Sequence, residues 1–215
     1  MKKFSNGLKK TALLLLAALL VMANTAPVQA KKFDKNAAKK KITVSYKKVP
    51  EGILAVYKNK NKTAVSLTAE LAFLDADKNS MSREKQKNLC LGAKCTSAFL
   101  FRAPVDGSGE YVNYSSYRAS FSVAKSKYKN YSRKITVSTD PQTVLVNYDA
   151  SNKSGKNLDS IHATFLFYGR DGKLLGCQEK YLNCLEKNAT DRGSIGYPHG
   201  ITDPAKVKVY VDWAY

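Results

Sequence analysis

Four cysteines, two histidines and a few clustered carboxylates are the residues of this chain whose chemistry could go beyond packing. Cys90 and Cys95 stand five apart, and Cys177 and Cys184 seven apart. In an oxidising compartment such pairs close short loops, so two local disulfides are expected among the three connectivities four cysteines allow. A closed loop of about 8 residues stabilises a fold by roughly 2.5 kcal/mol. Neither pair has the close spacing of a zinc ligand set, and only His162 and His199 could complete one, so no metal is expected. His199 lies in Gly196-Tyr197-Pro198-His199-Gly200, a run of turn-formers, while His162 alternates outward from an apolar strand, which places it at the surface or between sheets. Cysteine–histidine catalysis needs a thiolate, which an exported chain does not readily keep. Asp75, Asp77 and Asp171 fall where hairpin turns are expected, and Asp75-Ala76-Asp77 lacks the further oxygens of a calcium loop. With no nucleophile–base pair, no paired carboxylates and no metal cluster, the expectation is a protein with no catalytic residues and no cofactor.

Binding chemistry is better represented. Lys31 to Lys41 carries six lysines against Asp34, and Lys125 to Lys134 carries Lys125, Lys127, Lys129, Arg133 and Lys134 with no acid. Five of the 13 tyrosines, Tyr111, Tyr114, Tyr117, Tyr128 and Tyr131, crowd around the second basic segment. Lysine attracts anions over about a Debye length, roughly 8 Å at physiological salt, and tyrosine adds a flat apolar ring with a hydroxyl. Lys125, Lys127, Tyr128, Lys129, Tyr131 and Arg133 are therefore the candidate ligand-binding residues, for an anionic polymer or glycan. The competing reading is a solvated linker that keeps two domains apart.

The first 30 residues read as an export signal. Lys2, Lys3, Lys9 and Lys10 precede the apolar run Ala12 to Met22, and Val28-Gln29-Ala30 offers small residues at a cleavage site. That run is short for a membrane span, so the mature chain is expected to carry no transmembrane segment and to be secreted. Setting those residues aside removes four of the 36 basic residues and none of the 17 acidic ones, so the remainder stays strongly basic.

The elements that must position these residues are strands. Val65, Leu67, Ala69, Leu71 and Phe73 alternate with Ser66, Thr68, Glu70 and Ala72, and Ile161, Ala163, Phe165 and Phe167 repeat the pattern, followed by the turn sequence Arg170-Asp171-Gly172-Lys173. Val207, Val209, Val211 and Trp213 alternate with Lys206, Lys208, Tyr210 and Asp212. The pentapeptide Lys-Ile-Thr-Val-Ser occurs at Lys41 to Ser45 and again at Lys134 to Ser138. Beyond each copy, Tyr57 aligns with Tyr148, Phe73 with Phe167, Asp77 with Asp171, Cys90 with Cys184 and Pro104 with Pro198. The chain is one β-module written twice.

Two segment pairs carry a resemblance. Val56-Tyr57-Lys58-Asn59 and Val146-Asn147-Tyr148-Asp149 run into polar residues, and residues 165–173 read Phe-Leu-Phe-Tyr-Gly-Arg-Asp-Gly-Lys. This resembles the immunoglobulin-like FxLYD family of bacterial exported proteins, with a departure in the first copy at Leu74-Asp75-Ala76-Asp77. The resemblance implies an immunoglobulin-like sandwich and an extracytoplasmic setting, and it hands over no site residues.

The predicted architecture is all-β: a signal peptide (1–30), a basic lead (31–40), an antiparallel β-sandwich (41–124), a basic linker (125–133) and a second sandwich (134–215), set end to end. The expected function is noncatalytic binding of an anionic surface polymer or glycan. The alternative is a protein-interaction module, an envelope assembly factor or inhibitor, that pairs through exposed strand edges. No nucleic-acid partner is expected, because the chain carries no nucleic-acid-binding motif.

Overall fold

The computed structural model describes residues 32–198 and 200–215. The expected signal peptide and His199 lie outside the described residues. A short helix α1 (Lys35–Lys40) precedes six strands: β1 (Ile42–Val49), β2 (Gly52–Asn59), β3 (Val65–Leu74), β4 (Ser80–Leu91), β5 (Thr96–Arg102) and β6 (Ser116–Lys125). A 3-10 turn (Ser132–Lys134) then leads into β7 (Ile135–Pro141), β8 (Leu145–Asn152), β9 (Ile161–Tyr168), β10 (Leu174–Tyr181), β11 (Thr190–Gly196) and β12 (Lys206–Ala214). All pairings of these strands are antiparallel. The first module lays sheet β1-β2-β5 over sheet β4-β3-β6, and the second lays β7-β8-β11 over β10-β9-β12. Both modules thus have one topology, as the repeated pentapeptide requires.

Hydrogen-bond register refines the alignment of the copies. Ile42 pairs with Asn59 and Ile135 with Asn152, so Asn59 corresponds to Asn152 and Tyr57 to Ala150 rather than to Tyr148. The two asparagines do the same work. Fully buried Asn59 donates its amide to the carbonyls of Thr63, Leu91 and Gly92, and Asn152 to those of Lys156, Leu185 and Glu186. Each side chain ties two loops at one end of its sandwich and satisfies carbonyls that would otherwise be stranded.

The modules stack face to face, not end to end. Leu54, Ala98 and Leu100 of β2 and β5 and Val49 of β1 pack on Leu166 and Cys177 of β9 and β10 in one buried apolar layer. The β1-β2-β5 sheet of the first module therefore lies against the β10-β9-β12 sheet of the second, giving four layers of sheet. The two middle sheets are buried on both sides. That is why Ala98-Phe99-Leu100-Phe101 and the whole of Ile161–Phe167 are buried instead of alternating. The two outer faces are more polar at matching positions. Leu54, Ala98 and Leu100 give way to Asn147, Arg192 and Ser194 in the second module, and Leu166, Cys177 and Glu179 correspond to Ala72, Arg83 and Lys85 in the first.

Strand β5 is an edge strand whose outward N–H groups are closed by carboxylates, two from across the seam and one, Glu84, from β4 of its own module. The N–H of Ala98 donates to Asp212 Oδ1 at 2.5 Å, that of Leu100 to Glu179 Oε1 at 3.2 Å and that of Arg102 to Glu84 Oε2 at 2.9 Å. Asp212 owes its position to a β-bulge. Val211 pairs with Ala163 and Trp213 with His162, which leaves Asp212 as an extra residue turned into the seam. Its Oδ2 accepts from Thr164 Oγ1 at 2.7 Å and meets His162 Nδ1 at 3.0 Å, while its backbone carbonyl accepts from Asn88 Nδ2 at 2.8 Å. His162, expected on the surface or between sheets, lies between them, 4.3 Å from the Trp213 ring and parallel to it within 9°. Asp212, read from the alternation as an outward residue, is fully buried.

The four cysteines are free, which corrects the expectation of two disulfides. Cys177 belongs to the layer between modules and Cys184 to the core of the second, so seven residues of separation put them on opposite faces of one sheet. Cys90 donates its thiol to the carbonyl of Tyr128 at 3.0 Å instead of bonding Cys95. The basic lead is also more than a solvated tail. Asp34 caps α1 by accepting from the N–H of Ala37 at 2.9 Å, Ala38 is buried, and its carbonyl accepts from Asn61 Nδ2 at 3.1 Å. A helix of this length has little stability alone, so these contacts with the first module hold it.

Candidate basic groove at the junction

The linker between the modules is pinned, residue by residue. Ser126 Oγ donates to the carbonyl of Leu89 and accepts from the N–H of Tyr128. Asn130 donates to the carbonyl of Cys90, and its Oδ1 accepts from the N–H of Ser132 at 3.0 Å and from Ser132 Oγ at 2.7 Å. The N–H of Tyr131 donates to the carbonyl of Ala214 at 2.8 Å, which ties the linker to the end of β12. Gly92 makes this approach feasible, because a Cβ there would sit 2.5 Å from Asn130 Oδ1 and 2.8 Å from Cys95 Sγ. The sequence reading of a solvated linker is thereby excluded for this segment.

Pinned this way, the linker forms one wall of an open groove of about 580 Å3. The β2–β3 loop contributes Lys62, Thr63 and Ala64, the β4–β5 turn Ala93 and Cys95, the linker Lys129, Asn130, Tyr131, Arg133 and Lys134, and the β8–β9 loop Ser154. Four cationic side chains and no carboxylate line it. Lys94 Nζ donates to the carbonyl of Lys60 at 2.7 Å, and Arg133 donates to the carbonyl of Lys94 at 2.9 Å, which gathers further positive charge at the rim. Lys129 Nζ lies 5.4 Å from the centre of the Tyr131 ring. Burial raises the pKa of the Cys90 thiol behind this wall, so it stays protonated as a packing group.

Of the six expected ligand residues, Lys129, Tyr131 and Arg133 line the groove. Lys125 closes β6 and Lys127 follows it, both exposed beside the groove, and Tyr128 turns away to stack on Tyr215 at 4.3 Å. Lys62 and Ser154 come from loops distant in sequence, which only the fold brings together. Tyr111, Tyr114 and Tyr117 do not join them. Tyr111 and Tyr114 precede β6 and Tyr117 lies at its start, whereas Tyr128 and Tyr131 follow it, and a 10-residue strand spans roughly 30 Å. Tyr114 packs on Phe73 and Tyr117 on Tyr46 at that far end. The apparent crowding of tyrosines is an effect of chain order.

A second concavity, of about 650 Å3, lies over the outer face of β7-β8-β11 and includes Asp140, Asp149 and Arg192. Its one cation is paired, since Arg192 Nε donates to Asp149 Oδ1 at 2.9 Å, and Asp140 accepts from Gln142 Nε2 at 2.8 Å. Asp75 and Asp171, the turn carboxylates, bond their own hairpins: Asp75 Oδ1 accepts from the N–H of Asn79 and Asp171 Oδ1 from that of Lys173. Among the described residues no group of three or more histidine, cysteine, aspartate or glutamate side chains converges as a metal site.

No family model matches the chain, and no curated protein matches it. Among solved structures, red sea bream transglutaminase aligns at 14% identity with a TM-score of 0.28 over 79% of this chain, which spans 30% of that one.

Proposed function

We propose that this is an exported, noncatalytic binding protein that holds an anionic polymer in the groove at the module junction. The observation that carries the reading is the lining itself: Lys62, Lys129, Arg133 and Lys134 converge without a carboxylate on a wall whose backbone is fixed by hydrogen bonds. Cations mounted on a fixed backbone bind an anion with less ordering cost than cations on a mobile chain. The leader-like first 30 residues and the FxLYD-like segment at 165–173 support an extracytoplasmic setting.

Co-sedimentation of the purified protein with bacterial wall sacculi, intact or stripped of anionic polymers, tests this across a salt series. Retention is expected to fall on stripping and with rising salt, and to be lost in a Lys129→Glu, Arg133→Glu, Lys134→Glu variant. Retention unchanged by stripping and by the charge reversals would refute it. A stoichiometric protein partner recovered by crosslinking and insensitive to moderate salt would favour the alternative, pairing through a strand edge.

A further inference from the structure

Beside the groove, three tyrosines form a row that packing alone does not require. Tyr128 stacks on Tyr215, with ring centres 4.3 Å apart and planes 30° apart, and stays 41% exposed. Tyr181, at the end of β10, is 63% exposed, the most open aromatic residue among those described. It sits edge-on to His162 at 4.9 Å and to Trp213 at 6.2 Å. Trp213 donates its Nε1–H to Ser160 Oγ at 2.9 Å, and the backbone of Ser160 pairs with that of Tyr215, so one strand end carries the whole row. Tyr215 feels both neighbours: burial, then Tyr128, and more weakly Tyr181 raise its phenol pKa.

Exposing rings costs free energy, and Tyr128 and Tyr181 are exposed over a rigid support. His162 is locked against Asp212, and Trp213 is stacked on His162. Tyr131, which lines the groove, donates its N–H to the carbonyl of Ala214 at 2.8 Å, next to Tyr215, so the row lies beside the cationic groove. The surface offers flat apolar faces with hydroxyl rims, followed by fixed positive charge. A nucleobase can also stack on one open ring face, but the leader-like first 30 residues and the lack of a nucleic-acid-binding motif favour a sugar. A pyranose needs only one flat face for its C–H bonds and neighbouring hydroxyls for its own, which a lone Tyr181 and the outer face of Tyr128 supply.

We infer that Tyr128, Tyr181 and Tyr215 form a sugar-ring platform, so that the ligand of the adjacent groove is an anionic polysaccharide rather than polyphosphate or nucleic acid. This rests on the groove reading above, since the cations must hold the acidic groups of the same polymer.

Binding of the purified protein to three fluorescent probes decides it: a polyuronate, inorganic polyphosphate of matched charge and a single-stranded oligonucleotide. The expected result is that Tyr181→Ala, a substitution at an exposed position, weakens polyuronate binding by about tenfold and leaves polyphosphate binding unchanged. Tyr128→Ala is expected to act in the same direction, and Trp213 fluorescence checks that each variant keeps its seam intact. If Tyr181→Ala leaves polyuronate affinity unchanged while Lys129→Glu with Arg133→Glu removes binding of all probes, the platform is refuted and the groove reading stands. A tyrosine-dependent preference for the oligonucleotide would also overturn the inference. Absence of binding to every probe would overturn both readings.

Discussion

Replacing Asp212 by alanine should uncouple the modules. The substitution removes the acceptor of three buried groups at once: the N–H of Ala98, the hydroxyl of Thr164 and Nδ1 of His162. A buried group left without its partner costs about 1–3 kcal/mol, and rotation of Thr164 and His162 recovers part of this. A net loss of about 3–5 kcal/mol follows from three such groups after that relaxation. Because the groups sit between modules, the loss should fall on the seam before either core. Trp213 is the single tryptophan of the chain and lies at that seam, so its fluorescence reports the seam while far-UV circular dichroism reports all strands. In urea the wild-type protein should give coincident transitions by both probes. In the variant the fluorescence midpoint should fall by roughly 2 M, for a slope of about 2 kcal/mol per M, and should precede the dichroism midpoint. Glu70→Ala provides the control, because its ion pair with Arg83 is solvent-exposed and worth about 1 kcal/mol or less. A loss under about 1 kcal/mol for Asp212→Ala, with transitions still coincident, would refute this account of the seam.

Two further outcomes follow from burial. Alkylation of the native protein should label Cys95 quickly and leave Cys90, Cys177 and Cys184 unmodified until unfolding, since those three are buried and burial disfavours each thiolate; a mass showing no labelled cysteine even after unfolding without reductant would restore the disulfides. Glu51 is 6% exposed, neither of its carboxyl oxygens has a partner, and burial raises its pKa above the ordinary carboxylate value. The folded state therefore binds a proton more tightly than the unfolded one, and stability declines as pH rises from the unfolded pKa through the raised one. Glu51→Gln should flatten that decline, so its advantage over wild type in urea midpoint should be larger at pH 8 than at pH 4.5; an equal difference at both would show that the charge is not the cause.

The duplicated sandwich could be read from the sequence because the opening strand Ile-Thr-Val-Ser sits at the same register in both modules. Residue identity misled where register rules: Tyr148 looks like Tyr57, yet the ladder aligns Asn152 with Asn59, and period two keeps either choice on the same face. The seam had a signal that alternation alone does not reveal. Ala98-Phe99-Leu100-Phe101 and Ile161–Phe167 are buried throughout, the mark of strands covered on both sides, and this is incompatible with modules set end to end. Asp212 gave no signal, since its role depends on a bulge that shifts it out of the alternation. The groove was half legible: the linker charges are local in sequence, but Lys62 reaches them only because Asn59 fixes the loop that follows β2.

The seam joins unlike faces, the β1-β2-β5 sheet of one module to the β10-β9-β12 sheet of the other, and such head-to-tail contacts have no built-in end. Two freshly duplicated modules would each keep one sticky face, and every chain could add to the next without limit. Asn147, Arg192 and Ser194 at one end and Arg83 and Lys85 at the other remove the apolar matches that would allow it. The differences between the copies thus act against head-to-tail growth: the positions that cement the chain internally are hydrophilic on its two outward faces.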